Sequence, residues 1–215
     1  MDDEAAAPAP QVRRSRREAT EARRAQIVRA AARTFGTKGY RTGSLADVAE
    51  QVGITHAGVL HHFGTKEQLL VEVLQLRDEQ GVADLEGQHI PGGIELFHHL
   101  VRTARANAER RGIVQGYTVL VGESVTEDHP ARGWVTERFT SLRADVAAAV
   151  REVGGPDVSD EDALRAASAV IALMDGLQVQ WLLDADAVDL AEATRVGIEA
   201  VLRSTCPSAT IPHLA

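Results

Sequence analysis

Residues 44–66 read SLADVAEQVGITHAGVLHHFGTK, and this stretch decides the fold of the N-terminal part of the chain. Apolar residues recur there at i, i+3, i+4 and i+7, which predicts one face of a short amphipathic helix: Leu45, Val48, Ala49 and Val52. Ser44 is a suitable N-cap for this helix, and Gly53 is a suitable end. A second helix of about two turns is predicted to begin at Thr55. Two short helices joined by a tight turn allow one helix to enter the DNA major groove while the other supports it.

The second short helix is predicted to bury Val59 and Phe63 and to leave its other side exposed. Four residues on the exposed side are predicted to contact base edges: Thr55, His56, Ala57 and Gly58. The two small residues permit a close approach, and an alanine methyl can pack against a thymine methyl. A histidine can donate or accept at a base edge, and the alternative is an exposed histidine without a partner. Leu60 is predicted to point outward as well.

Residues around the two helices are predicted to contact DNA phosphates. They are Thr42, Ser44, His61 and Lys66, together with Arg16 and Arg17 of a basic N-terminal arm. Lys66 stands at the predicted start of a helix, where backbone amides also attract anions. Two alternatives remain open. Thr42 and Ser44 can serve only as caps, and the arginines can belong to a solvated tail.

Charge is divided unevenly along the chain. The net charge is −8, but residues 11–66 carry eleven Lys/Arg and four Asp/Glu, a net charge of +7. Residues 67–215 carry twelve Lys/Arg and twenty-four Asp/Glu, a net charge of −12. This division of charge indicates that residues 11–66 bind DNA and that the acidic rest of the chain does not. Ordinary scatter of surface charge is the alternative.

The rest of the sequence predicts an all-α fold. We expect a first helix over 20–37, ended by Gly36 and Gly39, and a fourth helix capped by Thr65. Pro/Gly breaks separate five further predicted helices: 93–111, 113–126, 130–153, 160–184 and 187–204. The predicted organisation is a disordered basic arm (1–19), a helix-turn-helix head (20–66), a helical body for ligand binding and dimerisation (67–205) and a flexible tail (206–215).

The last two predicted helices have the pattern of an assembly surface. Small and apolar residues repeat along them at 3,4 spacing, which is typical of a helix–helix seam. These residues are predicted to form a four-helix dimer interface: Ala167, Val170, Leu177, Ala191, Thr194, Ile198 and Val201. The alternative is that both helices pack only inside one protomer.

Aromatic residues are scarce, at 4% of the chain, and several of them are candidates for the lining of an apolar small-molecule cavity. The candidates for this lining are Phe97, Tyr117, Trp134, Met174, Gln178 and Trp181. Each of these side chains can equally belong to an ordinary core. Nothing in the sequence identifies the chemistry of the small molecule.

Three pieces of the sequence resemble the TetR family of bacterial transcriptional regulators: FGTKGY at 35–40, SLADVAEQVGIT at 44–55 and HFGTKEQLL at 62–70. The resemblance implies a homodimer in which each protomer places the second short helix in one major groove of a palindromic operator. It also implies that a small molecule bound in the helical body moves helix four and releases the DNA. Within this resemblance, Lys66 matches a lysine that contacts phosphate.

Three positions depart from the family pattern. Leu60 stands where a tyrosine usually contacts phosphate, Ala57 where glycine or proline is frequent, and Gly43 where threonine or alanine is common. These departures leave more of the expected phosphate contacts to other side chains, such as His61. They also motivate an alternative, in which the chain is a helical small-molecule binding protein that has lost sequence-specific DNA binding.

Other classes of protein fit the sequence less well. No pairing of nucleophile and base, phosphate-binding glycine loop or metal-ligand spacing is visible, so we expect neither an enzyme nor a bound cofactor or metal. The single cysteine, Cys206, excludes a disulfide within one chain, and the first ten residues lack the pattern of a secretory signal, so we expect a cytoplasmic protein. The apolar window 166–183 contains Asp175, Gln178 and Gln180, and we interpret it as a buried soluble helix rather than a membrane span.

Overall fold

The computed structural model describes residues 10–82 and 90–215, and the side chains of residues 17–76 and 90–215. Within these residues the chain forms nine α-helices and no β-strand: α1 (Pro10–Thr42), α2 (Leu45–Val52), α3 (His56–Phe63), α4 (Lys66–Val82), α5 (Gly93–Ala108), α6 (Arg111–Ser124), α7 (Arg132–Gly154), α8 (Asp160–Leu183) and α9 (Leu190–Thr205). A 3-10 turn at Gly155–Asp157 joins α7 to α8. The predicted all-α class is confirmed.

The first helix begins earlier than predicted. α1 starts at Pro10 rather than at Thr20, so residues 10–19 are helical and do not form a disordered arm. Arg16 lies on this helix, but its side chain is outside the described part of the chain. Residues 1–9, the start of the predicted arm, lie outside the described residues as well.

The regular part of the first helix ends close to its predicted end. Gly36 lies inside the helix, and the backbone leaves the helical conformation at Gly39, where φ is 75° and ψ is 164°, before a last short turn to Thr42. Gly39 has the positive φ that favours glycine and interrupts the helix there, as predicted. Gly36 serves close packing instead, because a Cβ there would lie 2.7 Å from the Cα of Gly116 in α6. Two facing glycines therefore allow α1 and α6 to cross at short distance.

The five predicted helices of the body are all present as α5 to α9, with ends within three residues of the predicted ones. α7 packs against α8 and α8 against α9, while α5 packs against both α7 and α9. Ser159 caps α8 and Asp189 caps α9, each by accepting a hydrogen bond from a backbone N–H three residues later. The predicted breaks were correct because capping residues, glycine and proline act locally.

One continuous apolar core joins the head to the body. Ile27, Phe35 and Leu70 of the head are fully buried, and Leu120 of α6 and Val135 of α7 belong to the same cluster. A second cluster fills the space between α5, α7, α8 and α9. Because residues of α6 and α7 complete the core of the head, a movement of these two helices changes the support on which the head rests.

The last residues pack against the body and are not a flexible tail, contrary to the prediction. Cys206 and Leu214 are buried. The backbone N–H of Leu214 donates to the carboxylate of Glu199 in α9 at 3.1 Å, and the N–H of Ala215 donates to Nδ1 of His98 in α5 at 3.1 Å. The apolar side chain of Leu214 therefore anchors this segment. The sequence does not predict this contact, because the neighbouring residues are small or polar.

One helix in the described part of the chain, α8, is long and apolar enough to cross a membrane when judged by length and composition alone. Only 28% of its most apolar window is buried inside the protomer. It packs against α7 on one side and α9 on another. The residues on its remaining, outward side are described below with the surface that they form.

Candidate nucleic-acid interface and body cavity

Two side-chain caps fix the geometry of the helix-turn-helix. Ser44 Oγ accepts from the backbone N–H of Asp47 at 3.1 Å, and the Asp47 carboxylate accepts from the N–H of Ser44 at 3.0 Å. Thr55 Oγ1 accepts from the N–H of Gly58 at 3.1 Å, and Gly53 ends α2 in the left-handed region at φ 69°. The capping box and the N-cap are confirmed, and together they set the position of α3 relative to α2.

α3 lies on the surface and presents most of the exposed side that the sequence predicts. Val59 is fully buried and Phe63 is nearly so, which holds the helix on the core. The residues predicted to contact bases lie on the other side, Thr55, His56 and Ala57 exposed and Gly58 half-buried. The prediction for Leu60 was wrong, since this side chain is half-buried and packs against the core.

Gly43, which departs from the family pattern, is explained by packing. It is buried between α1 and α2. A Cβ at this position would lie 2.9 Å from the carbonyl oxygen of Gly39 and 3.0 Å from the ring of Phe35. The kink in α1 brings that carbonyl close, and only glycine fits without a local shift.

Arg24 of α1 holds the C-terminal end of α3 in place. Its guanidinium donates to the backbone carbonyl of His62, pairs with Glu72 of α4 at 2.8 Å and lies 4.3 Å from the ring centroid of Phe63. Burial is the main cause that lowers the pKa of His62, so this histidine adds little positive charge at neutral pH. The role of Arg24 was not predicted, because its partner Glu72 lies 48 positions away in the sequence.

Lys66 opens α4 beside the C-terminal end of α1. Its Nζ lies 3.4 Å from the carbonyl oxygen of Arg41 and 4.5 Å from the ring centroid of Tyr40. Burial lowers the pKa of Lys66, and the carboxylates of Glu67 and Glu123 oppose that shift. The half-buried ammonium is held beside the C-terminal end of α1, and its residue opens α4, whose first backbone amides favour an anion.

The other predicted phosphate contacts occupy two regions. Three of them are exposed on the head: Thr42, Ser44 and His61. Arg17 is exposed near the start of α1 and pairs with Glu21, one turn later, at 3.5 Å. Arg41, exposed at the end of α1, was not predicted as a contact. Its position directly before Thr42, a predicted phosphate contact, could have identified this basic residue as a further contact.

Polar contacts at Tyr40 join the head to the body. The backbone N–H of Tyr40 donates to the carboxylate of Glu123 in α6 at 2.7 Å, and its hydroxyl donates to Glu67 of α4 at 3.0 Å. Its ring meets the ring of His129 edge-on, with 5.3 Å between centroids. Burial, followed by the hydrogen bond to Glu67, raises the pKa of the Tyr40 phenol, which therefore stays protonated as a donor.

His129, between α6 and α7, is the buried member of this junction. Its Nδ1 accepts from the backbone N–H of Ala131 at 3.2 Å, which places the proton of the neutral ring on Nε2. Nε2 lies 3.8 Å from the Glu123 carboxylate and has no hydrogen-bond partner among the described residues. Burial lowers the pKa of His129 despite the opposing effect of Glu123, so the ring is neutral at pH 7.

The body contains a cavity of about 620 Å³ between α5, α6, α7 and α8. Apolar side chains form most of its walls, and a cavity of this size is typical of small-molecule sites. Four of the predicted lining residues line it: Tyr117, Trp134, Met174 and Gln178. Four charged residues that were not predicted line it too: Glu137, Arg138, Asp145 and Asp175. The available signal was the spacing of Glu137 and Asp145, eight residues apart on one face of a predicted helix.

Two of the six predicted lining residues belong to the core instead. Phe97 is fully buried in the cluster between α5, α7, α8 and α9. Trp181 packs in a smaller cluster, and its ring centroid lies 5.2 Å from the guanidinium of Arg111, which also donates to the carbonyl of Trp181 at 3.4 Å. Both predictions were wrong because the rarity of an aromatic residue does not show which side of its helix meets the core.

The predicted dimer stripe mostly faces the interior of the protomer. Four of its members are buried in the protomer's own core, which corrects the prediction: Ala167, Val170, Thr194 and Ile198. Three members are half-buried: Leu177, Ala191 and Val201. The most apolar stripe of each helix packs inside its own chain, as the alternative interpretation held.

A different set of residues forms the outward surface of α8 and α9, hereafter the α8–α9 face. Its large apolar members are Leu164, Val179, Leu183 and Val196, exposed by 47%, 42%, 82% and 50%. Its small exposed members are Ala169, Ala172 and Ala200. Small residues permit close approach of another helix, and the large apolar residues beside them make this face a candidate for contact with another protein surface.

Known proteins resemble this chain along nearly its whole length. The family model for bacterial regulatory proteins of the tetR family matches residues 27–73, and the model for the C-terminal part of BetI-type transcriptional repressors matches residues 97–205. The HTH-type transcriptional regulator TtgR of Pseudomonas putida is 32% identical over 191 residues, covering 83% of this chain and 89% of TtgR. The HTH-type transcriptional repressor BepR of Brucella suis biovar 1 is 28% identical over 226 residues, covering 94% of this chain and 100% of BepR.

A solved structure agrees with these matches. NalD, the secondary repressor of the MexAB-OprM multidrug efflux pump in Pseudomonas aeruginosa, has a TM-score of 0.66 at 22% identity, covering 86% of this chain and 96% of NalD. Both family models fall on the parts that the geometry singles out, the capped helix-turn-helix and the helical body with its cavity. The chain therefore belongs to the TetR family and is a DNA-binding, helix-turn-helix transcriptional regulator of the ligand-responsive repressor type.

Proposed function

We propose that two copies of this chain bind a palindromic operator as a homodimer in the cytoplasm, repress transcription there and leave the DNA when a small molecule enters the body cavity. The observation that carries the proposal is the divided surface of α3. Val59 and Phe63 fix the helix from behind, while His56 and Ala57 are open to solvent. A helix held in this way can enter a major groove without giving up its packing.

The contacts to DNA divide into those that position the head and those that read sequence. Lys66 and the exposed Arg41 supply positive charge to the phosphates from one side of the head. His56 supplies a hydrogen bond at a base edge. The hydroxyl oxygens of Ser44 and Thr55 act as acceptors in their caps, so each hydroxyl keeps a proton to donate to DNA. Capping and DNA contact are therefore compatible roles.

The α8–α9 face is the surface on which we place the second protomer. Leu183 and Val196 leave apolar area open to solvent, exposed by 82% and 50%. The alanines between them let helices of two protomers approach closely, which favours a four-helix interface related by a twofold axis. A twofold axis places the two copies of α3 in adjacent major grooves when they lie about 34–36 Å apart.

Two contacts connect the cavity to the head. α6 carries Tyr117 in the cavity wall, Gly116 at the close crossing with α1, and Glu123 at the Tyr40 junction. α7 begins just after His129 and carries Trp134 in the cavity wall. An effector that shifts α6 against α7 therefore changes the support of the head and the separation of the two copies of α3. The effector must bind more tightly to the conformation with the wrong separation.

Selection from a random pool of DNA duplexes tests this proposal. The purified protein is incubated with the pool at moderate salt, and the bound fragments are amplified and sequenced over several rounds. We expect a palindrome with half-sites separated by about one duplex turn, bound by an even number of protomers. Binding that depends steeply on salt but enriches no sequence contradicts the proposal and favours a helical small-molecule binding protein instead.

A further inference from the structure

The last turn of α1 is separated from the rest of that helix. The backbone leaves the helical conformation at Gly39, and residues 40–42 form a short turn of their own, hereafter the 40–42 turn. The N–H of Gly43 closes it by donating to the carbonyl oxygen of Gly39 at 3.0 Å. Tyr40 is a buried residue at the start of this turn, and after such an interruption its backbone N–H needs a partner from outside the helix.

Glu123, in the last turn of α6, is that partner. Its Oε2 accepts from the N–H of Tyr40 at 2.7 Å, and its Oε1 occupies the space that a Cβ on Gly39 would need. Both carboxylate oxygens therefore lie against the start of the 40–42 turn, where a capping residue lies at the start of a helix. This cap comes from a residue 83 positions away and from the body of the protein. The glycine at position 39 leaves the room that the carboxylate takes.

The capped turn carries groups that face DNA phosphates in the proposed function. The side chains of Arg41 and Thr42 are exposed at its end. The carbonyl oxygen of Arg41 lies 3.4 Å from Nζ of Lys66, so the proposed phosphate-contacting lysine rests on the same turn. A shift of the 40–42 turn therefore displaces three proposed phosphate contacts together.

The charge of Glu123 and its position have opposite effects on DNA binding. A carboxylate close to groups that bind phosphate repels the DNA, so by charge alone its removal strengthens binding. The cap acts in the other direction, because side chains on a fixed turn lose less conformational freedom when they bind phosphate. The sign of the change in affinity on removing Glu123 therefore shows which effect is larger.

We propose that Glu123 is a positioning residue for DNA binding, which caps the 40–42 turn from the body and thereby holds Arg41, Thr42 and Lys66 in the arrangement that binds phosphate. Glu123 acts through the turn and does not itself touch DNA. The proposal rests on the proposed function in one respect, that these three side chains contact phosphate. It requires no small molecule, because the cap is made within the chain alone.

Removal of the carboxylate tests the sign of its effect. Glu123→Ala is compared with the control Glu127→Ala, which removes the same charge from an exposed residue just after α6. Fluorescence anisotropy at constant salt measures the affinity of the full chain for the selected operator and for a scrambled duplex. We expect Glu123→Ala to weaken binding to both duplexes by about threefold to tenfold, and Glu127→Ala to leave binding unchanged or slightly tighter. A Glu123→Ala variant that binds at least as tightly as Glu127→Ala overturns the proposal.

Glu123→Gln separates the cap from the charge. It loses the charge, as Glu123→Ala does, but keeps an amide oxygen that can accept from the N–H of Tyr40. We expect its affinity for DNA to lie between those of the wild type and Glu123→Ala. Equal weakening by the two substitutions overturns the cap as the cause. If Glu123→Ala does not fold in a urea-unfolding control, Glu123→Gln compared with Glu127→Gln repeats the test of sign, and tighter binding by Glu123→Gln overturns the proposal.

The dependence of binding on salt separates positioning from a loss of stability. A smaller folded fraction lowers the apparent affinity and leaves the salt dependence as it was. Loss of a phosphate contact instead reduces the slope of log K against log salt by about one. We expect Glu123→Ala to reduce this slope by about one per protomer, and to weaken Arg41→Ala little further, because both substitutions act on the same contact. An unchanged slope, or fully additive effects, overturns the proposal.

Failure of this proposal and failure of the proposed function give different results. Phosphates are present in every duplex, so the Glu123 variants can be compared on DNA of any sequence. A wild-type chain that selects a palindrome, with Glu123→Ala binding it equally well, retains the proposed function and loses this proposal. A wild-type chain that selects no sequence, but whose general DNA binding is weakened by Glu123→Ala, retains the cap and loses the operator.

Discussion

His129 shows how burial alone can change the chemistry of one residue. Its side chain has no exposed area, and its neutral ring directs the Nε2 proton toward Glu123, 3.8 Å away. The same carboxylate accepts from the backbone N–H of Tyr40 at 2.7 Å. A charged imidazolium here would lack the solvation that it has in the unfolded chain. We therefore expect the junction between head and body to be weakened by acid.

Lowering the pH below about 6.5 is expected to destabilise the protein through His129. Because burial lowers the pKa of His129 in the folded state, the unfolded state binds more protons at mildly acidic pH. The stability that this residue contributes is present above the unfolded pKa and is lost as the pH falls through the folded pKa. Urea unfolding at pH 7.5 and 5.5 measures the loss.

The variant His129→Asn keeps an acceptor for the N–H of Ala131 and removes the titrating ring. We expect its free energy of unfolding to fall less between pH 7.5 and 5.5 than that of the wild-type chain. His56→Asn is the control for a histidine-to-asparagine change, because His56 is exposed on α3 and lies away from the junction. A loss between the two pH values that is equal in the wild type and in His129→Asn contradicts this assignment.

At the residue scale, the capping residues could be predicted from the sequence. The side of a helix that faces the core or the cavity could not. Ser44 and Thr55 were predicted as caps because a cap depends on a backbone N–H only three residues away. Phe97 and Trp181 were misplaced because the side of a helix that meets a cavity depends on distant helices. Arg138 was missed because only one of its aromatic neighbours is local: Trp134 lies one turn earlier on α7, whereas Tyr117 comes from α6.

The crossing of α1 and α6 is the contact between two helices on which the proposed coupling of head and body depends. A Cβ on Gly36 would lie 2.7 Å from the Cα of Gly116, and Gln115 donates to the carbonyl of Gly36 at 3.1 Å. The two helices meet backbone to backbone. We therefore expect a displacement of α6 to be passed to α1.

Gly36→Ala is expected to lower the free energy of unfolding by about 1–3 kcal/mol, because the added methyl meets backbone rather than a flexible side chain. The matched control is Gly122→Ala in α6, where an added Cβ meets nothing within 4 Å. This control should leave stability unchanged or raise it by up to about 1 kcal/mol, since alanine favours helix over glycine. Urea unfolding measures both variants. A Gly36→Ala variant at least as stable as the control would show that the crossing is not tight.

At the element scale, the helix limits of the body were predicted because glycine, proline and capping residues mark them. The close packing of Gly36 against Gly116 was missed because it depends on contact with α6, and a glycine near the end of an apolar pattern usually marks a helix end. The interruption at Gly39 was predicted, because a glycine with positive φ leaves the helical conformation locally. The buried Leu214 was missed because a short terminal segment has no period to reveal what it packs against.

The α8–α9 face is the surface on which we propose that two copies of the chain assemble. The sequence indicated that α8 and α9 form the interface, but it selected the stripe that each helix buries in its own protomer. An amphipathic helix with two apolar sides gives no sign of which one packs inside the chain. The outward side has smaller residues, and its large members Leu164, Val179 and Leu183 are exposed by 47%, 42% and 82%.

Val196→Asp is expected to convert the dimer to a monomer, because it buries an unpaired carboxylate at the proposed twofold interface. Sedimentation equilibrium measures the mass, and the affinity for the selected operator is expected to fall at least about tenfold as the two heads lose their link. Val125→Asp is the control, since Val125 is 75% exposed and lies outside the α8–α9 face. A Val196→Asp variant that stays dimeric would place the interface elsewhere.

The role of α3 is tested most directly by fluorescence anisotropy. This method measures the affinity for the selected operator and for a scrambled duplex over a range of salt concentrations. We expect Lys66→Ala to weaken binding to both duplexes by a similar factor and to reduce the salt dependence. We expect His56→Ala to lower the ratio of operator to scrambled affinity about tenfold, because a base contact is lost. If His56→Ala leaves that ratio unchanged, or if both variants weaken both duplexes alike, α3 does not read the operator.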